Sequence, residues 1–158
     1  RFRTFIAMET GYSVQDVACI VLGGHGDSMV PITRLATIGG APVTDLISTE
    51  RLAEIEHRTR FAGGEIVKLL GNGSAYYAPA QCAMEMAESY IKDKKRVIPC
   101  ATFCEGEFEV NGYFIGVPIV IGSGGVEKIL EFTLTDDEKT ALNNTLDVVK
   151  KTVAETGL

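Results

Sequence analysis

One histidine and one arginine in this chain sit where their chemistry could be used. The segment Val21-Leu22-Gly23-Gly24-His25-Gly26-Asp27-Ser28-Met29-Val30-Pro31 places an imidazole just past a short apolar run, with a glycine on either side. Small neighbours let both backbone and ligand approach closely, as loops on a rigid scaffold require. Imidazole changes charge near neutral pH, so His25 suits a reaction that takes a proton from a hydroxyl and returns it to a carbonyl. Asp27 is near enough in sequence to orient the ring, although adjacent residues on a turn often point apart. A hydrogen-bonded structural histidine in a glycine-rich turn fits the same residues. Arg1 carries a planar fork that makes two parallel charge-assisted hydrogen bonds to a carboxylate, but alone it reads more readily as a solvated terminal side chain. Gly71-Asn72-Gly73-Ser74-Ala75-Tyr76-Tyr77-Ala78-Pro79 is a loop in which Ser74 offers a hydroxyl.

These groups need a scaffold, and the chain is long enough to build one. At 158 residues, 46% hydrophobic and 23% charged, it has the size and balance of one ordinary globular domain. A net charge of -6 with scattered Lys and Arg gives no footprint for a phosphate backbone, so nucleic acid is not an expected partner. The apolar runs Val17 to Leu22 and Phe114 to Ile121 fall well short of the roughly 20 residues that span a bilayer, so no membrane partner is expected. Cys19, Cys82, Cys100 and Cys104 lack paired CxxC spacing and read as free thiols of a cytoplasmic protein, with no metal site. Gly122-Ser123-Gly124-Gly125 is not followed by a helical pattern, so it reads as a turn and not as a dinucleotide fingerprint.

The elements follow from periodicity and punctuation. Phe2, Phe5, Ile6 and Met8 suit a helix ending at Gly11, which enters without a cap residue, so residues before Arg1 are expected in the complete protein. Val17 to Leu22 is expected as one buried strand, and Met29 to Ile38 as a second extended stretch. Ser48 caps a helix over Thr49 to Leu70 whose Gly63-Gly64 waist permits either close packing or a bend. Pro79 starts another, with Ala83, Met86, Ala87, Tyr90 and Ile91 as a core stripe. Strands are expected at Arg96 to Phe103, Phe108 to Val110, Tyr113 to Ile121 and Val126 to Thr133, with Asn111-Gly112 as a hairpin turn. Thr135 and Glu138 have capping-box spacing ahead of a last amphipathic helix through Leu142, Leu146, Val149 and Val153. The fold class is α+β, with an antiparallel or mixed sheet packed against long helices.

The phrase around His25 resembles the catalytic loop of the lactate and malate dehydrogenase family. Arg1-Phe2-Arg3-Thr4-Phe5-Ile6-Ala7 resembles the family helix whose arginine, at the position of Arg1, grips the substrate carboxylate. Gly71 to Pro79 is similar to the malate-type version of a substrate-pocket segment; Gly73 stands where lactate-type members more often carry threonine, leaving room for a four-carbon diacid, and Ser74 supplies a donor. Phe114-Ile115-Gly116-Val117-Pro118 and Gly124-Gly125-Val126-Glu127 are similar to late strands, and the likeness runs over essentially all of residues 1-158.

The resemblance implies a substrate-binding catalytic domain that interconverts malate and oxaloacetate with NAD, His25 acting as acid and base. Met29 and Pro31 would lie beside the nicotinamide, although they read equally well as ordinary strand residues. It also implies an NAD-binding Rossmann domain upstream of this chain, with the aspartate that pairs with His25 and the mobile-loop arginines, so that these residues alone would be inactive. A homodimer or homotetramer is the implied assembly. The alternatives are an L-lactate dehydrogenase, and a non-catalytic oligomerisation fragment of the same fold.

Overall fold

A computed structural model describes residues 1–157. In chain order the elements are α1 (Phe2–Thr10), β1 (Val17–Ala18), β2 (Val21–Leu22), β3 (Val30–Pro31), β4 (Thr37–Ile38), β5 (Ala41–Pro42), α2 (Thr49–Leu70), α3 (Tyr77–Ile91), β6 (Arg96–Glu105), β7 (Asn111–Gly122), β8 (Gly125–Ile129) and α4 (Asp136–Thr156). The pairings of β1 with β4, β4 with β5, β6 with β7 and β7 with β8 are all antiparallel, in line with the α+β expectation. The chain divides into two compact units, one of Arg1–Ile20 with Pro31–Ala78, the other of Val21–Val30 with the residues from Pro79 onward.

In the first unit α1 buries Phe2, Ile6 and Ala7 and stops at Gly11, whose φ of 75° lets its N–H cap the Ala7 carbonyl. α2 starts where Ser48 accepts from the Arg51 N–H and buries Leu52, Ile55, Thr59 and Ala62. Arg58 lies 4.4 Å from the centre of the Phe5 ring, and Arg51 reaches Glu9 at 2.6 Å, so α1 and α2 are tied by both apolar and ionic contacts. β1, β4 and β5 form a small sheet beside them. The run Val17 to Leu22 is not one strand: it breaks at Cys19-Ile20, and its two halves pair in different sheets. The stretch Met29 to Ile38 is likewise interrupted, by a 3-10 turn at Thr33–Leu35. Beyond Ala62 the apolar periodicity of α2 is only partly covered by the described residues, Ile66 being half-buried and Leu69 85% exposed.

In the second unit β6, β7 and β8 make a meander, with Ile115, Val117 and Ile119 buried against Leu142 and Leu146 of α4 in the unit's core. The full capping box at Thr135 and Glu138 forms as expected and starts α4. α3 begins at Tyr77, two residues before Pro79, which the first turn tolerates because a backbone nitrogen there has no helical acceptor and proline's missing N–H costs nothing. Its Ala83, Met86, Ala87, Tyr90 and Ile91 stripe is not core: Tyr90 is 51% and Ile91 77% exposed. The buried residue is Ser89, whose hydroxyl donates to the Ile121 carbonyl at 2.7 Å and accepts from the Arg96 N–H at 3.3 Å.

The β6 to β7 connection also departs from expectation. Glu107–Glu109 is a 3-10 turn and not part of a strand, and Gly106, Phe108 and Glu109 all take positive φ to reverse the chain. Asn111-Gly112 lies inside β7, where Cys104 pairs with Tyr113 and Glu105 with Asn111, so Gly112 is the extra residue of a bulge. An Asn-Gly pair supplies positive φ for either feature, which is why it pointed to a turn. After Ile129 the chain leaves the sheet, short of the expected strand end at Thr133.

Candidate functional site

His25 stands on the loop between β2 and β3, in the second unit, and it is exposed together with Gly26 and Asp27. The loop begins under tight backbone control. Gly23 and Gly116 of β7 exchange hydrogen bonds, the Gly23 N–H donating at 2.9 Å and the Gly116 N–H at 3.0 Å. Neither position has room for a side chain: a Cβ on Gly116 would run into the Gly23 carbonyl oxygen, and one on Gly23 would lie 2.6 Å from Thr145 Cγ2. Gly23 also has φ of +91°, a conformation L-residues rarely adopt.

α4 holds the same loop through Thr145, which is fully buried. Its Oγ1 accepts from the Gly24 N–H at 2.9 Å and shares a hydrogen bond with Ser28 Oγ, also at 2.9 Å. Within the loop the Met29 N–H donates to the Gly26 carbonyl at 3.1 Å. An exposed imidazole is thus carried on a backbone fixed from two regular elements, the arrangement that precise proton transfer requires. Sequence reasoning assigned no positioning role to Thr145 or Gly116. A glycine inside an apolar strand run does signal close backbone approach, but the sequence does not say of which partner.

Arg1 belongs to the first unit, where it is half-buried at the start of α1. Its Nη1 donates to the Thr59 carbonyl of α2 at 3.4 Å. A Cβ on Gly63 would sit 3.2 Å from the same nitrogen, whereas one on Gly64 would meet nothing within 4 Å. Of the two readings of the glycine pair, close packing therefore holds at Gly63, and α2 runs through it without a break. Gly73 and Ser74 lie in the exposed loop between α2 and α3. Gly73 has φ of +102°, and a Cβ there would stand 2.7 Å from Tyr76 Oη. Backbone conformation alone therefore calls for glycine, a reason separate from the size of any substrate. Met29 and Pro31 are buried, so in this structure their side chains serve packing and offer little surface to a ring.

Three of the four thiols are muted. Burial pushes the Cys19 and Cys104 thiols up to about 11, with nearby Glu107 and Glu131 adding to the effect at Cys104, and burial also raises Cys100. Thiolate chemistry at these positions is disfavoured. The second histidine, His57, is on α2 with its ring centre 4.7 Å from that of Phe61. No group of three or more His, Cys, Asp or Glu among the described residues is arranged to hold a metal, and no helix among them is long and apolar enough to cross a membrane.

Residues 1–157 match the family model described as lactate/malate dehydrogenase, alpha/beta C-terminal domain. The chain belongs to the lactate/malate dehydrogenase family. It is 56% identical over 154 residues to the malate dehydrogenase of Rhodopirellula baltica, covering 98% of this chain and 49% of that protein. Among solved structures, the malate dehydrogenase of Salinibacter ruber is similar with a TM-score of 0.96 and 48% identity, covering 99% of this chain and 51% of that one. The lactate dehydrogenase of Eimeria maxima with NADH and oxamate gives 0.95 and 42%, covering 99% and 49%. The chain thus spans about half the length of the relatives it matches.

The solved lactate dehydrogenase of Eimeria maxima holds NADH, and the glycine cluster of this chain does not form a phosphate-binding loop for such a cofactor. The glycine cluster Gly122 to Gly125 is a reverse turn, and its backbone donors are already used: the Ser123 N–H donates to Asp93 Oδ1 at 2.8 Å and the Gly124 N–H to Glu127 Oε1 at 3.3 Å. Those carboxylates are joined by Lys95, at 3.0 Å from Asp93 and 2.5 Å from Glu127. A dinucleotide phosphate would have to displace two acidic groups from the donors it needs.

Proposed function

We propose that the protein acts in the interconversion of malate and oxaloacetate, with His25 moving the hydroxyl proton and Arg1 holding a substrate carboxylate. One observation carries the reading. In a chain 56% identical to a malate dehydrogenase, the histidine matched to the family's acid and base is exposed on a loop fixed by Gly116 and Thr145. His25 would take the proton from the C2 hydroxyl of malate, and in reverse return it to the oxaloacetate carbonyl oxygen. Arg1, positioned by the Thr59 carbonyl and the missing side chain of Gly63, would meet the carboxylate through its fork. Ser74, exposed beside Gly73, would add a hydroxyl donor.

The hydride acceptor, NAD, would be bound by residues other than these, in the Rossmann domain expected upstream. We also propose a homodimer or homotetramer, in which apolar side chains left exposed on α2 and α3, such as Leu69, Tyr77 and Ile91 at 85%, 92% and 77%, would find cover. The experiment is His25→Asn in the complete encoded protein, assayed with oxaloacetate and NADH. Turnover should fall by a factor of at least about 100, and an unchanged rate would remove His25 from the reaction.

A lactate dehydrogenase is the second reading. It is favoured by the similarity to the Eimeria maxima enzyme, whose structure holds oxamate. Comparing kcat/KM for oxaloacetate and pyruvate separates the two, and a preference for pyruvate would overturn the malate assignment.

A further inference from the structure

Threonines inside helices usually turn their hydroxyls back on the helix itself. In α4, Thr140 donates to the Asp136 carbonyl at 2.9 Å and Thr152 to the Val148 carbonyl at 3.0 Å. Thr145 of the same helix has its hydroxyl on the loop instead. One oxygen atom meets the Gly24 N–H at the front of the loop and Ser28 Oγ at its rear, each at 2.9 Å, with His25 between them. Thr145 is 0% exposed, so water does not substitute for it. Its methyl group fills the space beside Gly23 that a Cβ there would need.

We propose that Thr145 is a positioning residue for proton transfer, its buried hydroxyl pinning both ends of the loop that carries His25. The inference rests on the reading of His25 as the proton carrier. Without the hydroxyl, Gly24 and Ser28 lose their common partner, and the imidazole is no longer held where its proton must pass. Small displacements of a reacting group are enough to cost large factors in rate.

Two substitutions separate the hydroxyl from the methyl. Thr145→Val keeps the shape and removes the hydroxyl, whereas Thr145→Ser keeps the hydroxyl and removes the methyl. In the complete protein, Thr145→Val should lower kcat for oxaloacetate reduction roughly tenfold or more while KM changes little, because the Arg1 grip is untouched. Thr145→Ser should recover most of that loss. Amide exchange measured by NMR at Gly24 gives a readout that needs no activity: it should accelerate in Thr145→Val and stay slow in Thr145→Ser.

The proposal is overturned if Thr145→Val keeps the parent kcat, or if Thr145→Ser is as damaged as Thr145→Val, which would make the methyl contact the cause. If His25→Asn is silent while Gly24 exchange still responds to Thr145→Val, the proton-carrier reading fails and Thr145 loses its catalytic role, although the clamp itself stands. Should Thr145→Val not fold, Ser28→Ala removes one of the two ties alone; kcat should then drop about threefold, and an unchanged kcat overturns the proposal.

Discussion

Gly23→Ala tests whether the His25 loop is set by close packing as well as by backbone conformation. Two costs add at this position. The first is conformational: with φ at +91°, an L-residue is disfavoured by roughly 1–2 kcal/mol. The second is steric: the new Cβ would lie 2.6 Å from Thr145 Cγ2, which is buried and cannot move away without shifting α4. Overpacking of this kind costs about 1–3 kcal/mol. The sum, about 2–5 kcal/mol, is a large part of the stability of an ordinary domain and should lower Tm by roughly 5–20 °C. Gly11→Ala supplies the comparison, because Gly11 also has positive φ, at +75°, but nothing lies within 4 Å of its Cβ position. Only the conformational cost applies there. Urea unfolding of both variants, with oxaloacetate turnover measured alongside, isolates the steric part as the difference between them. Equal losses in the two variants would show that Thr145 does not press on Gly23, and the tight anchoring of the loop would have to be given up.

Three further outcomes are expected. Gly63→Ala should raise helix stability by up to about 1 kcal/mol yet weaken binding of an anionic inhibitor such as oxamate, since its Cβ would stand 3.2 Å from Arg1 Nη1; Gly64→Ala, in open space, should give the stability gain alone, and calorimetric titration showing equal affinities would contradict the assigned role of Arg1. Thr135→Ala removes one half of the α4 capping box and should cost about 0.5–2 kcal/mol in urea unfolding; no loss would mean that the box contributes nothing to this helix. Hydrogen bonds from Lys92 and then Lys94 hold the Glu88 carboxyl down at about 2, below its ordinary 4.5, so its stabilising contribution is present above that ordinary value and fades as pH falls toward 2. Because the group is exposed, salt should shrink the effect, and an NMR titration midpoint near 4.5 at low ionic strength would contradict the pairing.

Local signals in the sequence marked the helices well because each carries its own instruction: glycine after Thr10, serine before Thr49, the Thr135 and Glu138 pair ahead of α4. They marked strands less well because short apolar runs do not say which sheet they join. Val17 to Leu22 is apolar throughout for two reasons, β1 pairing with β4 and β2 with β3, and no periodicity distinguishes that from a single strand. The α3 stripe misled for a different reason. An apolar face at helical spacing reads as core, but among the described residues Met86 is only half-buried and Tyr90 and Ile91 are exposed.

His25 was conspicuous because its neighbours are glycines, but the reasons for those glycines lie far away in the chain. Gly23 is required by Thr145 and by its own φ, and Gly116 by the carbonyl of Gly23. The loop is therefore not a flexible stretch that happens to carry an imidazole. Its backbone is closed against β7 and its two ends meet one hydroxyl of α4, so its conformation depends on residues that a motif search around His25 does not reach. Arg1 follows the same logic in the other unit, where the absence of a side chain at Gly63 gives the guanidinium its place on α2. In both halves, then, the charged or titratable group was legible from its type, while the atoms that fix it were hidden in positions chosen for what they leave out: a Cβ at Gly23, Gly63 and Gly116, and a helical back-bond at Thr145.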